Sequence, residues 1–553
     1  MTLDVEKLQT PIDAFFTHLA VNPEKIFLRQ PIDAEVIEYS YSQVALEVRS
    51  MAARLDKLPA KSHIGIISYN CAHWIMADLA IMLAGHISIP IYPTASSSTI
   101  AQILQHSECR LIFIGKLPDW QSKNYLIPTA IETISMHTEH PEMESWTGIL
   151  ARYPPLESFK LPDLSDMASI IYTSGTTGKP KGVMTSFNTM AEAGRIINTF
   201  IKLDNNDRFF SYLPLAHAAE RVAVEIAAIY CGGVISFVDT MDSFNQNLKQ
   251  AAATVFLGVP RIWIKFQQAI EAKIPPTLLK ILLKIPLLNS LLKRKLLAEL
   301  GFEHIKIAVS GAAALPIETL LWFERLGLPI CEAYGMTESL GIANFNHPDQ
   351  RVAGSVGKPL PGCEVKLAVD GEVLYKNNHL MMGYYREPEL TARTIRQGYL
   401  HTGDTGTIDD DGYLWITGRV KDIFKTSKGK YVSPVKIEME LEPRANLEQI
   451  CVMGSNLTQP VALGVVLTKP DKRDLAAFES RLVRILNEVN GLLENTERVA
   501  KWFLIDELWN TDNGLITPTL KLRRQAIEKK YMPQIEKLLT DKRIIIWLEK
   551  SAE

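Results

Sequence analysis

From the N-terminus to about residue 400, short apolar runs alternate with segments whose apolar side chains recur every three or four positions, a strand–helix alternation. The runs "HIGIIS" (63–68), "SIPIYP" (88–93), "RLIFIG" (110–115) and "ASIIYT" (168–173) read as strands. "HWIMADLAIMLAG" (73–85) reads as a helix that ends at a glycine cap. "KIAVSGAAAL" (306–315) is a buried strand running into a small-residue turn. Such alternation predicts an α/β fold with largely parallel strands in layers.

The texture changes further on. "GTIDDDGYLWITGR" (406–419) predicts a hairpin, with acidic turn residues around Gly412. "ICVMGS" (450–455) and "VALGVVLT" (461–468) read as strands and 474–492 as a helix. The expectation is a large N-terminal layered α/β domain over 1–420 and a small mobile α+β domain over 421–553, with the boundary near Arg419–Lys421. No internal repeat is visible.

One segment breaks the pattern. In "PPTLLKILLKIPLLNSLLKRKLLAEL" (275–300) leucine pairs recur at 287–288, 291–292 and 296–297, with Lys293 and Arg294 beside them and Lys280 and Lys284 four apart. This is the pattern of two basic amphipathic helices that rest on an anionic lipid surface, or of two ordinary surface helices with solvated lysines.

Composition adds little. The chain has 553 residues, 47% hydrophobic and 22% charged, with a formal net charge of −3, so nucleic acid is not expected as a partner. Six scattered cysteines form no CxxC and suggest free thiols in a reducing compartment. The N-terminus lacks a basic stretch followed by an apolar one, and no run is long enough for a membrane span. The expected location is cytoplasmic, with 275–300 as a peripheral contact at the inner face of a membrane.

The chemistry begins at "IIYTSGTTGKPKG" (170–182), where Thr173 to Gly178 are all Ser, Thr or Gly and two lysines flank Pro180. Such residues cannot build a core, but they bend sharply and aim N–H and hydroxyl groups at an anion. The loop is not of the Walker type: counting from Gly175 puts Pro180 where the second glycine belongs, and from Gly178 puts Val183 there.

Five later stretches accompany it in order: "YLPLAHAAER" (212–221), "EAYGMTES" (332–339), "YLHTGDTG" (399–406), "GRVKDIFKTSKGKYVSP" (418–434) and "TPTLKLRR" (517–524). Together with the loop they resemble the signature set of the AMP-forming acyl-CoA synthetases of the adenylate-forming superfamily. "KTSKGKYVSP", "TPTLKLRR" and "TVFLGVPRIW" look most like the long-chain fatty acid–CoA ligases. The resemblance implies a two-step reaction. A fatty acid carboxylate attacks the α-phosphorus of ATP, and the thiol of coenzyme A then displaces AMP. Two anions meet in the first step, so the site must supply positive charge and aimed donors.

Residue roles follow from the resemblance alone. Thr173, Ser174, Gly175, Thr176, Thr177, Gly178 and Lys181 would hold the β and γ phosphates, Thr337 the α-phosphate, and Glu338 the Mg²⁺. Tyr334 would stack on adenine over a floor of Gly311, Ala312 and Ala313. Asp404 would accept both ribose hydroxyls, and Arg419 would support the ribose or phosphate. Lys521 would bridge carboxylate and α-phosphate, His217 would border the acyl carboxyl group, and Trp263 would line the acyl tunnel. Lys428 and Gly429 would lie on the thioester-forming surface and Lys421 at the hinge. Each residue also has a plainer reading: His217 as a structural imidazole, Asp404 as a turn residue, Lys521 as a solvated charge, Trp263 as core. Competing functions are a fatty acyl-AMP ligase that loads a carrier protein, a medium-chain or aromatic acid–CoA ligase, and a catalytically silent lipid-binding protein on the same fold.

Overall fold

A computed structural model describes residues 8–33, 35–117, 120, 127–137, 143–174, 180–517 and 521–549. The chain divides into two compact units. The first comprises Met1–Ala313, Leu320–Val365 and Tyr375–Leu400; the second comprises Ala314–Thr319, Lys366–Leu374 and His401–Glu553.

Among the described residues the first unit holds an eight-stranded and a nine-stranded sheet. Six strands carry the residues of interest: β1 (Met167–Ser174), β2 (Pro180–Ser186), β3 (Val255–Gly258), β4 (Ile307–Ser310), β5 (Ile330–Tyr334) and β6 (Gly383–Tyr384). In the eight-stranded sheet, His63–Ile67 pairs in parallel with Ile87–Ile91 and with Leu111–Ile114, as the apolar runs predict. β1 and β2 are antiparallel, and β6 adds to the free side of β2. In the nine-stranded sheet β3, β4 and β5 run parallel, so their C-terminal ends open on one edge, where ligands bind in open α/β sheets.

The predicted helix at 73–85 spans Ala72–Leu83, with Gly85 in the left-handed conformation (φ +68) just beyond its end. Its side chains are buried all round, with His73 half-buried, as for a helix enclosed by a core. A second helical run, Ala218–Glu220 and Ala227–Cys231, is interrupted by one wide π-helical turn at Arg221–Ile226. That turn buries two charged residues, Arg221 and Glu225, against a third, Asp78, on the Ala72–Leu83 helix. Arg221 binds Asp78 through Nη2, Glu225 through Nε (3.1 Å) and Ser169 Oγ through Nη1 (2.9 Å). Two acids share one cation here, and burial with the Asp78 charge beside it pushes the Glu225 carboxyl upward. The 275–300 segment forms helices, each opened by a proline in its first turn: after α1 (Pro260–Lys273) come α2 (Pro276–Leu282) and α3 (Pro286–Leu300).

The second unit opens with the predicted hairpin, β7 (Tyr399–Ile408, its first two residues belonging to the first unit) and β8 (Leu414–Arg419). Asp409 closes the turn: its carboxylate accepts from Tyr413 N–H (2.8 Å) and Trp415 Nε1 (3.0 Å), while Gly412 supplies φ +84. A four-stranded sheet follows, in the order Gln449–Met453, Val461–Val465, Trp502–Ile505, Ile545–Trp547. One face packs on α4 (Pro434–Ala445) and the helix Lys472–Leu492, through Ile437, Leu441, Leu482 and Val489. The other packs on α5 (Arg524–Leu538), through Ile527, Tyr531 and Ile535. The six cysteines are free, five of them buried and Cys363 half-buried.

Candidate active site

In the first unit the anion loop joins two strands that hold its ends in register: Thr173 lies opposite Lys181, and Ser174 opposite Pro180. Gly175, Thr176, Thr177 and Gly178 lie outside the described residues. Lys181 reaches over the ring of Tyr384, 5.8 Å from its centroid. Tyr384 Oη in turn donates to Glu338 Oε1 at 2.6 Å. One phenol thus joins the lysine of the anion loop to the carboxylate of "GMTES". Its backbone is fixed on both sides: β6 pairs with β2, and Tyr384 N–H donates to Thr391 Oγ1 (2.8 Å). Burial and the Glu338 charge raise the Tyr384 hydroxyl pKa, so it stays a donor.

The turn that carries Thr337 and Glu338 follows β5 and folds back tightly. Gly341 N–H donates to Met336 O (2.8 Å), and a Cβ on Gly335 would stand 2.4 Å from Gly341 backbone atoms, which excludes any side chain there. Tyr334 ends β5 with its ring 5.6 Å from that of Tyr375. The Gly311–Ala313 turn runs beside the same strand, because a Cβ on Gly311 would meet Ala333 O at 3.5 Å. Ala312 takes φ +68, a left-handed conformation seldom held by a residue with a side chain. His217 caps the helix that begins at Ala218, its Nδ1 accepting from Ala219 N–H (3.1 Å). Gly341 lies against that helix start, since its Cβ would be 3.3 Å from Ala219 Cα. Among the described residues, the turn at 334–341 therefore touches the helix start at 217–219, and the turn at 311–313 begins beside β5. Trp263 is held elsewhere. It is fully buried, donates from Nε1 to Gly258 O (3.2 Å) and Val309 O (3.3 Å), and packs among Phe256, Phe302 and Phe323.

In the second unit Asp404 on β7 lies opposite Arg419 on β8, and Arg419 Nε meets Asp404 Oδ1 at 2.9 Å. Asp404 is buried and Arg419 half-exposed. Lys421 is exposed two residues on. Lys428 and Gly429 form an exposed turn, in which Gly429 takes φ +76 and its N–H donates to Thr426 O (2.9 Å). Lys521 closes a small loop: Thr517 N–H donates to Lys521 O (2.8 Å), and Lys521 N–H donates to Thr517 Oγ1 (3.1 Å). The root of that loop is pinned by Arg524, whose guanidinium forks onto both oxygens of Glu438 (2.7 and 2.8 Å) and donates to Val452 O (2.6 Å).

Three partners escaped the sequence reading: Tyr384, Glu438 and the buried Glu220. Glu220 accepts from Ser211 Oγ (3.0 Å), Tyr212 N–H (3.0 Å) and Asn70 Nδ2 (3.4 Å), bracing the strand end before His217. Burial pushes its carboxyl up to about 8. Tyr384 and Glu438 act on residues distant in sequence, and Glu220, although inside "YLPLAHAAER", shows its role only when the fold buries it beside Ser211, Tyr212 and Asn70.

Comparison with known proteins shows the family and the fold. The AMP-binding enzyme family matches residues 15–385, and the AMP-binding enzyme C-terminal domain matches 421–543. The chain belongs to the AMP-binding enzyme family. It is 28% identical to the long-chain-fatty-acid–CoA ligase FadD15 of Mycobacterium bovis, over 94% of this chain and 95% of that one. It is 33% identical to the putative fatty-acid–CoA ligase fadD11 of Mycobacterium tuberculosis, over 68% of this chain and 73% of the relative. Among solved structures, the anthranilate CoA ligase AuaEII in complex with anthranoyl-AMP superposes with a TM-score of 0.78 at 21% identity, covering 97% of this chain and 100% of that one. The adenylation domain of a carboxylate reductase from Mycobacterium chelonae superposes with a TM-score of 0.82 at 19% identity, covering 97% and 92%. The fold is the expected adenylate-forming one: a large α/β region followed by a small C-terminal domain.

Proposed function

We propose that the chain is an AMP-forming ligase that activates a long-chain fatty acid with ATP and transfers the acyl group to coenzyme A, releasing AMP and pyrophosphate. The observation that carries the reading is the Lys181–Tyr384–Glu338 chain at the mouth of the anion loop, which sets a cation and a fixed carboxylate where nucleotide phosphates would lie. Relatives named as long-chain fatty acid–CoA ligases, aligned over nearly the whole chain, support the choice of acid.

In this reading residues 173–178 and Lys181 cradle the β and γ phosphates and Thr337 donates to the α-phosphate. Tyr334 and the Gly311–Ala313 turn hold adenine, and Asp404 with Arg419 holds the ribose. When bound, Mg²⁺ would neutralise charge on the phosphates, with Glu338 as one ligand and phosphate oxygens and water as the others. Lys521 supplies positive charge between the carboxylate and the α-phosphate, and His217 borders the acyl carboxyl group. Trp263 closes the apolar region behind the site. Residues 421–553 then turn about Lys421 as a mobile domain on 1–420, Lys521 withdraws, and the Lys428–Gly429 face serves the thiol. The enzyme works in the cytoplasm at the inner face of a membrane. Among the described residues no helix is long and apolar enough to cross one.

The test is pyrophosphate release from ATP with saturated acids from hexanoate to icosanoate, assayed with and without coenzyme A. Release that peaks with the long acids, and thioester formed only when coenzyme A is present, is the expected result. Acyl-AMP that persists in the presence of coenzyme A would instead identify a carrier-loading ligase.

A further inference from the structure

We propose that α2 and α3 form a docking surface for an anionic lipid bilayer. The inference rests on the fatty acid reading for its purpose but not for its test.

The segment is unusual in charge. Between Glu271 and Glu299 there is no acidic residue, while Lys273, Lys280, Lys284, Lys293, Arg294 and Lys295 are all basic. Glu299 is itself met by Lys273 (3.3 Å). The segment is also unusual in what it exposes. Leu278 (46%), Ile281 (60%), Ile285 (41%) and Leu291 (73%) face solvent. Leu278 and Ile281 stand one turn apart on α2, and Ile285 follows in the link to α3. Leu279 on another side of α2 is buried, so the exposed ridge is the outer face of a packed helix. On α3, Leu296 and Leu300 are buried one turn apart, whereas Leu291, Arg294 and Lys295 share the exposed side. Lys280 and Lys284 are exposed beside the α2 ridge.

An apolar ridge flanked by lysines and arginines matches one occupant in both respects. Leucine and isoleucine enter the boundary of the acyl chains while the basic groups stay among anionic headgroups. A protein partner with an acidic rim would complement the charge but would not explain the mixture of aliphatic and basic residues along both helices. The segment is also tied down at its ends. Phe266 on α1 and Phe302 just past α3 pack together at 5.0 Å and both lie against Trp263 (6.2 and 5.5 Å). Docking would therefore hold the bilayer at a face anchored on buried aromatic rings.

The experiment is flotation of the full chain with phosphatidylcholine vesicles, with and without phosphatidylglycerol. The wild type should float with the anionic vesicles and release as salt is added. Each basic residue at such a surface is worth roughly fivefold in binding, so the quadruple variant Lys280→Glu/Lys284→Glu/Arg294→Glu/Lys295→Glu should lose about a hundredfold or more. Ile281→Asn/Leu291→Asn should also lose binding with its charges intact. Both variants should release pyrophosphate from ATP with water-soluble octanoate at the wild-type rate, which shows that they fold. Wild type that stays at the bottom of the gradient, or variants that float with it equally, would overturn the proposal. So would a wild-type dimer that Ile281→Asn/Leu291→Asn converts to monomer, since a second copy would then own the face. Wild type that floats but activates no acid would leave the docking surface standing and remove the ligase reading.

Discussion

Each unit buries an arginine against carboxylates, and the two arginines do different work. Arg221 is enclosed by Asp78, Glu225 and Ser169 in the core of the first unit, with its ring-facing side 5.6 Å from Trp74. It ties the wide helical turn to the Ala72–Leu83 helix and to β1. Arg524 faces a single acid, Glu438, through a two-point fork, at the foot of the loop that presents Lys521. Both cations link three elements, since Arg524 also donates to Val452 O on the Gln449–Met453 strand; they differ in that Arg221 divides its donors between two acids inside a core, whereas Arg524 forks onto one acid beside the Lys521 segment. Burial alone does not distinguish them. What each arginine's neighbours carry does.

The largest expected effect tests the first half of that contrast. Arg221→Met strands Asp78 and Glu225 without their cation, and breaking such a buried network costs about 3–5 kcal/mol. The urea midpoint should fall accordingly, with both half-reactions lost in parallel as the folded fraction falls. A midpoint within error of wild type would mean that the acids take up protons and the arginine is dispensable.

Next comes the residue that Arg524 serves. Removing one preorganised charge donor typically slows a reaction by about 10²–10³. Lys521→Ala should slow acyl-adenylate formation by that factor and leave thioester formation from synthetic acyl-AMP and coenzyme A near the wild-type rate. Equal damage to both steps would make Lys521 structural.

Arg524→Lys sharpens the comparison further. A lysine keeps the charge but gives up the fork, a loss of about 1.5 kcal/mol. If the fork aims Lys521, adenylation by the folded variant should slow by about tenfold while the second half-reaction changes little, beside a loss of stability of about 1.5 kcal/mol. A fall in stability without that selective slowing would place Arg524 in the same class as Arg221.

A more gradual effect, spread over several pH units, concerns Glu220. The Glu220 carboxyl is pushed from 4.5 up to about 8 by burial. Between those values the folded chain holds a proton that the unfolded chain has released, so this group's contribution falls as pH rises, by at most about 1.4 kcal/mol per pH unit, and levels off above pH 8. Glu220→Gln, which mimics the protonated acid, should remove that slope from the stability curve. A slope that survives the substitution belongs to another group.

Much of the frame was visible in the sequence because it rests on local pattern. Buried strands need unbroken apolar runs, the Ala72–Leu83 helix needs a left-handed residue at its end, and the anion loop needs a strand on either side. The hairpin shows where such reading stops. Counting back from the turn pairs Ile408 with Leu414 and would set Asp404 opposite Gly418. An extra residue, Thr417, is accommodated beyond Gly406, shifts the register, and brings Asp404 opposite Arg419 instead. Tyr384 and Glu338 are separated by 46 residues, and nothing near either announces the other. Trp263 read as apolar, but only the fold shows that its indole faces the carbonyls at the ends of β3 and β4.

The wide turn at Arg221–Ile226 bears on how this chain tolerates changes in length. A π-helical turn holds one residue more than the α-helix around it. Deleting a single residue within it would let the helix close into an ordinary spiral, so the lesion would be a shortening rather than a break. Because the wide turn already absorbs its extra residue, the segments before and after it would stay nearly in phase. His217 and Glu220 lie on one side of that turn and Tyr230 and Cys231 on the other. The region can thus absorb a codon loss, and a frame-preserving deletion there that spares Arg221 and Glu225 should give a folded chain in which His217 keeps its alignment with the helix that follows.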